Sequence, residues 1–362
     1  MGEKTVLVVG GTGPTGPDIV NGLVERGFRT AIFHSGRHEV PLPDVVEHIH
    51  GDPHFPETIA EALGVREFDV VIAQYGRLRH LARHFSHRTA HLISIGGFMG
   101  PLASVDDPRW GPLGRPAVVR ETARVSHQDG SDNKLGLRMA QAHELVMELR
   151  GEGAFKATHI GYPLLYGPRQ PGSSEWSIVR RLRDGRRRLI LPDGGIRIDS
   201  RGFIGNVSQA PLLVADNPDA ADGKSYVVTD RELYTVRQRV EFLAAHFGVE
   251  VEIVSLPYEV ATPAHPLYRL GPDHRAGTAE EIRADLGYVD RVAAGDAMAL
   301  TADWLTSADA NIEEIEKQLG DSFDYEYEDR LLEWWDGARG RVPEATSVFS
   351  YQHNYRHPVK PG

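Results

Sequence analysis

The 362-residue chain contains no cysteine. Disulfides, a thiolate nucleophile and cysteine-based zinc sites are therefore excluded, and the chain is indifferent to the redox state of its compartment. Long apolar runs are missing too. The first, within MGEKTVLVVGG, is shorter than a signal-peptide core, and no later one is long enough to span a bilayer. Val6 stands where an N-myristoylation signal needs Ser or Thr. A cytoplasmic protein without membrane association is the expectation. There is no basic excess either: the formal charge is −11, which argues against general nucleic-acid binding. Neither an internal repeat nor a low-complexity linker is present, and the length suits one large or two medium domains with a sizeable core.

What is present begins at once. Thr5–Val9 (TVLVV) has the continuous apolar character of a strand buried on both faces. GGTGPTGPDIVNGLVERG follows directly, with Gly10, Gly13 and Gly16 spaced G-x-x-G-x-x-G before a helix over Pro17–Glu25. Glycines there let the backbone approach a pyrophosphate, and the helix start offers free N–H groups. Thr12 and Thr15 add hydroxyl donors, and Pro14 belongs to the same loop. Strand, glycine pattern and helix in that order point to a dinucleotide site. Phe28–Phe33 reads as a second strand, ending in His34-Ser35-Gly36-Arg37. No carboxylate is there to hold the ribose hydroxyls, as NAD-preferring sites usually require. Ser35 and Arg37 can instead take a 2′-phosphate, so NADP(H) is expected over NAD(H). Asp52 is placed either to accept from an adenine amino group or to form a helix-entry turn. Phe68–Ala73, followed by Gln74 and Tyr75, and His91–Ile95 make further strands. Alternating strands and helices imply a parallel, doubly wound sheet with ligands at the carboxyl ends of its strands.

These segments, together with HGD at 50–52, ISIGGFMG at 93–100, ATHIGYPLLYGPR at 157–169, GFIGNVSQAPLLVADNP at 202–218 and ADLGYVDRVAAGDAMALTADWL at 284–305, resemble the extended, epimerase/dehydratase-like short-chain dehydrogenases/reductases. The likeness runs from about residue 4 to about residue 306. It implies a Rossmann doubly wound parallel sheet with a smaller C-terminal α/β substrate lobe. The expected domains are a nucleotide-binding core over 1–160, a substrate lobe over 161–310 interleaved with the last core strands, and a C-terminal helix and arm over 311–362.

Members of this family use a Ser or Thr after the fifth strand and a Tyr-x-x-x-Lys pair on the next long helix. A nearby lysine and the cationic nicotinamide favour the phenolate, whose pKa is otherwise about 10. Here the helix reads NKLGLRMAQAHELV over 133–146. Matching its tail to the family puts Leu135 at the Tyr position, Met139 at the Lys position, His143 at the usual Glu, and Ile95 at the Ser/Thr position beside Ser94. No tyrosine lies between Tyr75 and Tyr162, so no shift of register restores one. The usual proton relay is absent. Candidate replacements are Ser94, Lys134, Tyr75 and Tyr162. Cofactor contacts are expected from Gly10, Thr12, Gly13, Pro14, Thr15, Gly16, Ser35, Arg37, Asp52, Gln74, Ser94, Pro163 and Leu165, the last two in the segment that lines the nicotinamide pocket. Asn206 resembles a residue tying the substrate region back to the nucleotide domain.

His80, His84, His87 and His91 recur at i, i+4, i+7 and i+11. No carboxylate matches that spacing and Arg79, Arg83 and Arg88 surround them, so a solvated or interface face is expected and no metal. Arg180, Arg181, Arg183, Arg186, Arg187 and Arg188 form a basic cluster that either grips an anionic substrate or offsets a helix dipole. Trp334, Trp335 and Tyr327 suggest a docking helix near the C-terminus. The sequence reading is an NADP(H)-dependent oxidoreductase acting on a small carbonyl, alcohol or conjugated double bond without the Tyr/Lys pair. Its alternatives are an epimerase/dehydratase-like enzyme on an anionic or nucleotide-linked substrate, and a non-catalytic dinucleotide sensor. The partner expected is a small-molecule substrate, with no nucleic acid, no membrane and a homodimer as a possible assembly.

Overall fold

The computed structural model describes residues 3–74, 78–97, 108–121, 134–269, 271–344, 347 and 349–351, without the side chains of Pro108, Arg109, Lys134 and Leu135. The chain divides into two compact units, 1–323 and 324–362. The first half of the larger unit runs β1 (Thr5–Val9), α1 (Gly16–Glu25), β2 (Arg29–His34), β3 (Glu47–His50), α2 (Pro56–Leu63), β4 (Phe68–Gln74), α3 (Leu78–His84), β5 (Thr89–Gly97), the two-residue β6 (Val118–Val119), α4 (Lys134–Gly151) and β7 (Lys156–Tyr162). The second half continues with β8 (Leu164–Tyr166), α5 (Glu175–Arg183), β9 (Arg188–Pro192), β10 (Arg201–Phe203), α6 (Ile204–Val207), α7 (Gln209–Asp216), α8 (Pro218–Ala221), β11 (Ser225–Val227), α9 (Val236–His246), β12 (Glu252–Leu256), β13 (Ala276–Gly277), α10 (Glu280–Leu286), α11 (Ala294–Thr306) and α12 (Ile312–Leu319).

Seven strands form one sheet in the order β11-β7-β5-β4-β1-β2-β3, all parallel. The apolar run of β1 explains its central place. Val6 and Val8 pack on one face with Ile19, Val20 and Leu23 of α1, while Leu7 and Val9 pack on the other with Ile59, Leu63 and Leu81. Full burial of such side chains contributes about 1.5–3 kcal/mol each. The strand order reverses between β1 and β4, which opens a crevice at their carboxyl ends. This is the expected Rossmann architecture. β11, from within the 161–310 span, completes the main sheet beside β7.

The smaller lobe has its own core, in which Trp176, Val179 and Leu182 of α5 pack with Val240 and Leu243 of α9 and Leu305 of α11. Its strands pair as β9–β12 and β8–β10. Thr235 and Gln238 close a capping box at the start of α9, which fixes where that helix begins. In the second unit, Asp324 caps α13 (Tyr325–Arg339) by accepting from the Tyr327 amide. Trp334 on that helix is 51% exposed. No helix of the described residues is long and apolar enough to cross a membrane.

Candidate functional site

The glycine loop leaves β1 through Gly10, whose φ of +83° favours glycine, with its amide donating to the Phe33 carbonyl of β2. Two tight turns follow, Gly13 N–H to Gly10 O at 3.0 Å and Gly16 N–H to Gly13 O at 2.9 Å. A Cβ at Gly16 would stand 2.2 Å from the Gly11 carbonyl oxygen, so the helix starts in backbone contact with the loop. Thr12 and Pro14 are partly exposed. Thr15 is buried and donates to Gln74 Oε1 at 2.9 Å, joining the loop to the end of β4. The Gln74 amide nitrogen is buried with no hydrogen-bond partner. Arg169 bridges from the turn after β8, pairing with Asp18 at 2.8 Å and donating to the Pro14 carbonyl at 3.2 Å. Burial raises the Asp18 pKa, against the opposing charge of Arg169.

At the end of β2 the side chain is His34, buried, with neither ring nitrogen hydrogen-bonded. Ser35 and Arg37 are exposed on the loop that follows. Asp52 adopts the helix-entry role: its carboxylate accepts from the His54 amide at 2.9 Å and faces the His54 ring at 2.7 Å. Those bonds hold its carboxyl below the usual range. The backbone loop and the unpaired Gln74 amide together fit a dinucleotide lying across the strand ends.

Midway along β5 and β7, Ser94 is fully buried and shares a 2.9 Å hydrogen bond with His159 Nδ1. His159 stands edge-on to His143 of α4, centroids 4.8 Å apart, and His143 Nε2 reaches Ser225 Oγ at 2.8 Å. Burial first, then His143, pushes the His159 pKa down to about 3, and burial lowers that of His143. Both imidazoles are therefore neutral near pH 7. Met139 lies over the end of β5: a Cβ on Gly97 would meet its Cε at 2.4 Å. Tyr162 is buried and donates to the Val207 carbonyl at 3.1 Å, facing α6. Pro163 and Leu165 flank Gly202 of β10, 3.1 and 3.4 Å from the position of its Cβ. Tyr75 lies outside the described residues, as does the side chain of Lys134, the first residue of α4.

Two expectations are corrected. The solvated or interface face expected of the histidine series is not continuous: α3 ends at His84 and His87 has a φ of +58°, while His91 lies on β5, within the strand expected at 91–95, buried and facing Thr158 Oγ1 at 2.9 Å. The arginine run at 180–188 is largely engaged within the lobe. Arg180 pairs with Asp184 and Glu316, Arg181 with Asp321, and Arg188 with Glu252. Asn206 brackets Val292, donating to its carbonyl at 2.9 Å and accepting from its amide at 3.0 Å.

A different basic group is built into the lobe. Arg197, Arg201 and Arg239 are buried with Glu175 and Asp199. Arg197 Nε donates to Asp199 at 2.8 Å, Arg201 to Glu175 at 2.5 Å, and Arg239 to Glu175 at 3.3 Å. Arg115 is buried too, donating to the His274 carbonyl at 3.0 Å, and Arg275 couples electrostatically to Arg115 and Arg197. Asp273 opposes the charges of Arg115 and Arg275. Among the described residues of this group, guanidinium groups thus outnumber carboxylates. Arg115 Nε and Nη1, Arg201 Nε and Arg239 Nε are buried without hydrogen-bond partners. Burial and the neighbouring Arg201 loosen the hold of Arg239 on its proton. Glu175 stays below its ordinary pKa, because Arg201 and Arg239 outweigh the cost of its burial. The sequence carried one signal for this group. Arg-x-Asp-x-Arg over 197–201 puts three charges on one face of an extended chain.

No family model and no curated protein matches the sequence. Solved structures do match. They include dTDP-glucose 4,6-dehydratase from Bacillus anthracis in complex with NAD, 14% identical over 87% of this chain and 98% of that one, TM-score 0.64. UDP-glucose 4-epimerase from Thermotoga maritima with UDP-glucose is 17% identical over 83% and 98%, TM-score 0.62. WbmG from Bordetella bronchiseptica with NAD is 11% identical over 84% and 94%, TM-score 0.64. The chain has the fold of the extended short-chain dehydrogenases/reductases that include these epimerases and dehydratases.

Proposed function

We propose that this chain is a dinucleotide-dependent enzyme of the epimerase/dehydratase type whose substrate carries an anionic group such as a nucleoside diphosphate. The observation that carries the reading is the buried arginine excess in the smaller lobe, with unpaired nitrogens on Arg115, Arg201 and Arg239. A buried, unsatisfied guanidinium is costly, and a phosphate oxygen is the partner that best relieves it. The likeness to nucleotide-sugar enzymes supports the same choice over a small neutral carbonyl compound. The proposed cofactor is NADP(H), because Ser35 and Arg37 lie exposed directly after His34 at the end of β2, where they can take a 2′-phosphate. The loop at Gly10–Gly16 would hold its pyrophosphate, and Gln74 would donate to it from the end of β4. Such a cofactor supplies a reversible hydride acceptor.

The chain's own residues would bind the substrate's anionic end through the arginines and exclude water with Met139 and Gly97 at the strand ends. Leu135 and Met139 carry no proton, so the relay must use other groups. Ser94, Lys134, Tyr75 and Tyr162 remain the candidates to test. The experiment offers nucleoside-diphosphate sugars with catalytic NADP+ or NAD+ and follows inversion or loss of water by NMR. Turnover of one such substrate without net cofactor reduction supports the reading. Stoichiometric NADPH consumption on simple carbonyls or enones, with no reaction of any nucleotide-linked compound, overturns it in favour of the oxidoreductase.

A further inference from the structure

We propose that His34, Glu39 and His48 form a binding site for a divalent transition-metal ion at the β2–β3 edge of the sheet. Strand register brings the site together. His34 of β2 pairs with His50 of β3, and His48 lies two residues before His50 on the same face. The His34 ring centroid is 5.3 Å from that of His48 and 4.7 Å from that of His50. Glu39, from the loop between the strands, turns one oxygen to each imidazole: Oε1 is 3.9 Å from His34 Nδ1 and Oε2 is 3.8 Å from His48 Nδ1. One ligand atom from each of the three residues falls within 4.8 Å of the others. Ligands bound tetrahedrally at about 2.0–2.2 Å stand roughly 3.3–3.6 Å apart, so rotations of the Glu39 and His48 side chains, both solvent-accessible, would complete the geometry.

The second observation is His34 itself. Its side chain is 3% exposed, and neither ring nitrogen has a hydrogen bond. A buried imidazole in that condition lacks a partner that a metal would supply. Two imidazoles and one carboxylate suit zinc and its neighbours better than magnesium or calcium, and they leave a further position open. Gly36 allows the close approach. A Cβ there would stand 3.0 Å from His50 Nδ1 and 4.0 Å from Glu39 Oε1.

The test uses the full chain without an affinity tag, stripped by chelator and titrated with Zn2+ by calorimetry, then with Co2+ followed by its visible spectrum. One ion per chain is expected, with Co2+ giving the intense bands of a low-coordinate site. His48→Ala and Glu39→Gln should each weaken binding at least about tenfold. Both positions are partly or well exposed, so their melting temperatures in chelator should match the parent. A His84→Ala control should leave binding intact. Absence of stoichiometric uptake overturns the proposal, as does uptake that survives both His48→Ala and Glu39→Gln.

Discussion

Glu175→Gln is the sharpest perturbation of the buried arginine group. Glu175 is fully buried and accepts from Ser173 Oγ at 2.9 Å, Arg201 at 2.5 Å and Arg239 at 3.3 Å. Glutamine keeps the volume and removes the charge. Arg197 and Arg239 would then share Asp199, and Arg201 would keep only its coupling to the buried Asp230. Breaking one side of a buried ion pair destabilises by about 3–5 kcal/mol. At about 2.1 cal/mol/K per residue, the 323 residues of the larger unit unfold with an entropy of roughly 0.7 kcal/mol/K, so Tm should fall by about 4–7 °C. The assay is thermal unfolding at neutral pH in low salt, with and without a nucleoside diphosphate. The nucleotide should recover more Tm in Glu175→Gln than in the parent, because the pocket has lost an anion. An unchanged Tm, or equal recovery in both proteins, would refute the reasoning that the arginines lack compensation.

Three further outcomes are expected. Gly16→Ala places a Cβ against the Gly11 carbonyl at 2.2 Å, where backbone on both sides resists moving. It should abolish NADPH binding by fluorescence titration, whereas retained affinity would show that the loop is not the dinucleotide cradle. Thr15→Val removes the hydroxyl that Gln74 Oε1 accepts from, and denaturant unfolding should report a loss of about 1–3 kcal/mol. Asp230 should give a pH signature, since burial raises its pKa from 3.8 to about 6 despite bonds from Tyr166 and the Phe203 amide. A raised folded-state pKa stabilises fully below pH 3.8, and that contribution, on the order of 3 kcal/mol, is lost as pH rises through 6. Asp230→Asn should therefore flatten the stability profile between pH 4 and 6 relative to the parent, and parallel profiles would count against it.

The nucleotide half was legible because local rules and the fold agree there. TVLVV reads as a doubly buried strand and is β1 to the residue, and the glycine spacing follows it directly. The strands expected at 68–73 and 91–95 appear as Phe68–Gln74 and Thr89–Gly97, extended by residues whose pairing only the sheet reveals. The histidine spacing is interrupted for a local reason, since a turn at His87 separates α3 from β5, and His91 belongs to the strand that the sequence already reads at 91–95. The arginine run read as a cluster in sequence, but carboxylates from Glu252, Glu316 and Asp321 meet it in space. The buried arginines escaped notice because Arg115, Arg239 and Arg275 come from distant segments, and a single arginine ordinarily reads as solvated. The His34–His48 pair was hidden likewise, since only the β2–β3 register brings it together.

The most direct measurement is calorimetric titration of a nucleoside diphosphate into the full chain saturated with NADP+, alongside Arg115→Met and Arg201→Met. The expected result is one site per chain in the parent, weakened at least about tenfold in both variants, corresponding to about 1.4 kcal/mol or more. No heat of binding in the parent, or equal affinity in all three proteins, would contradict an anionic substrate held by the buried arginines.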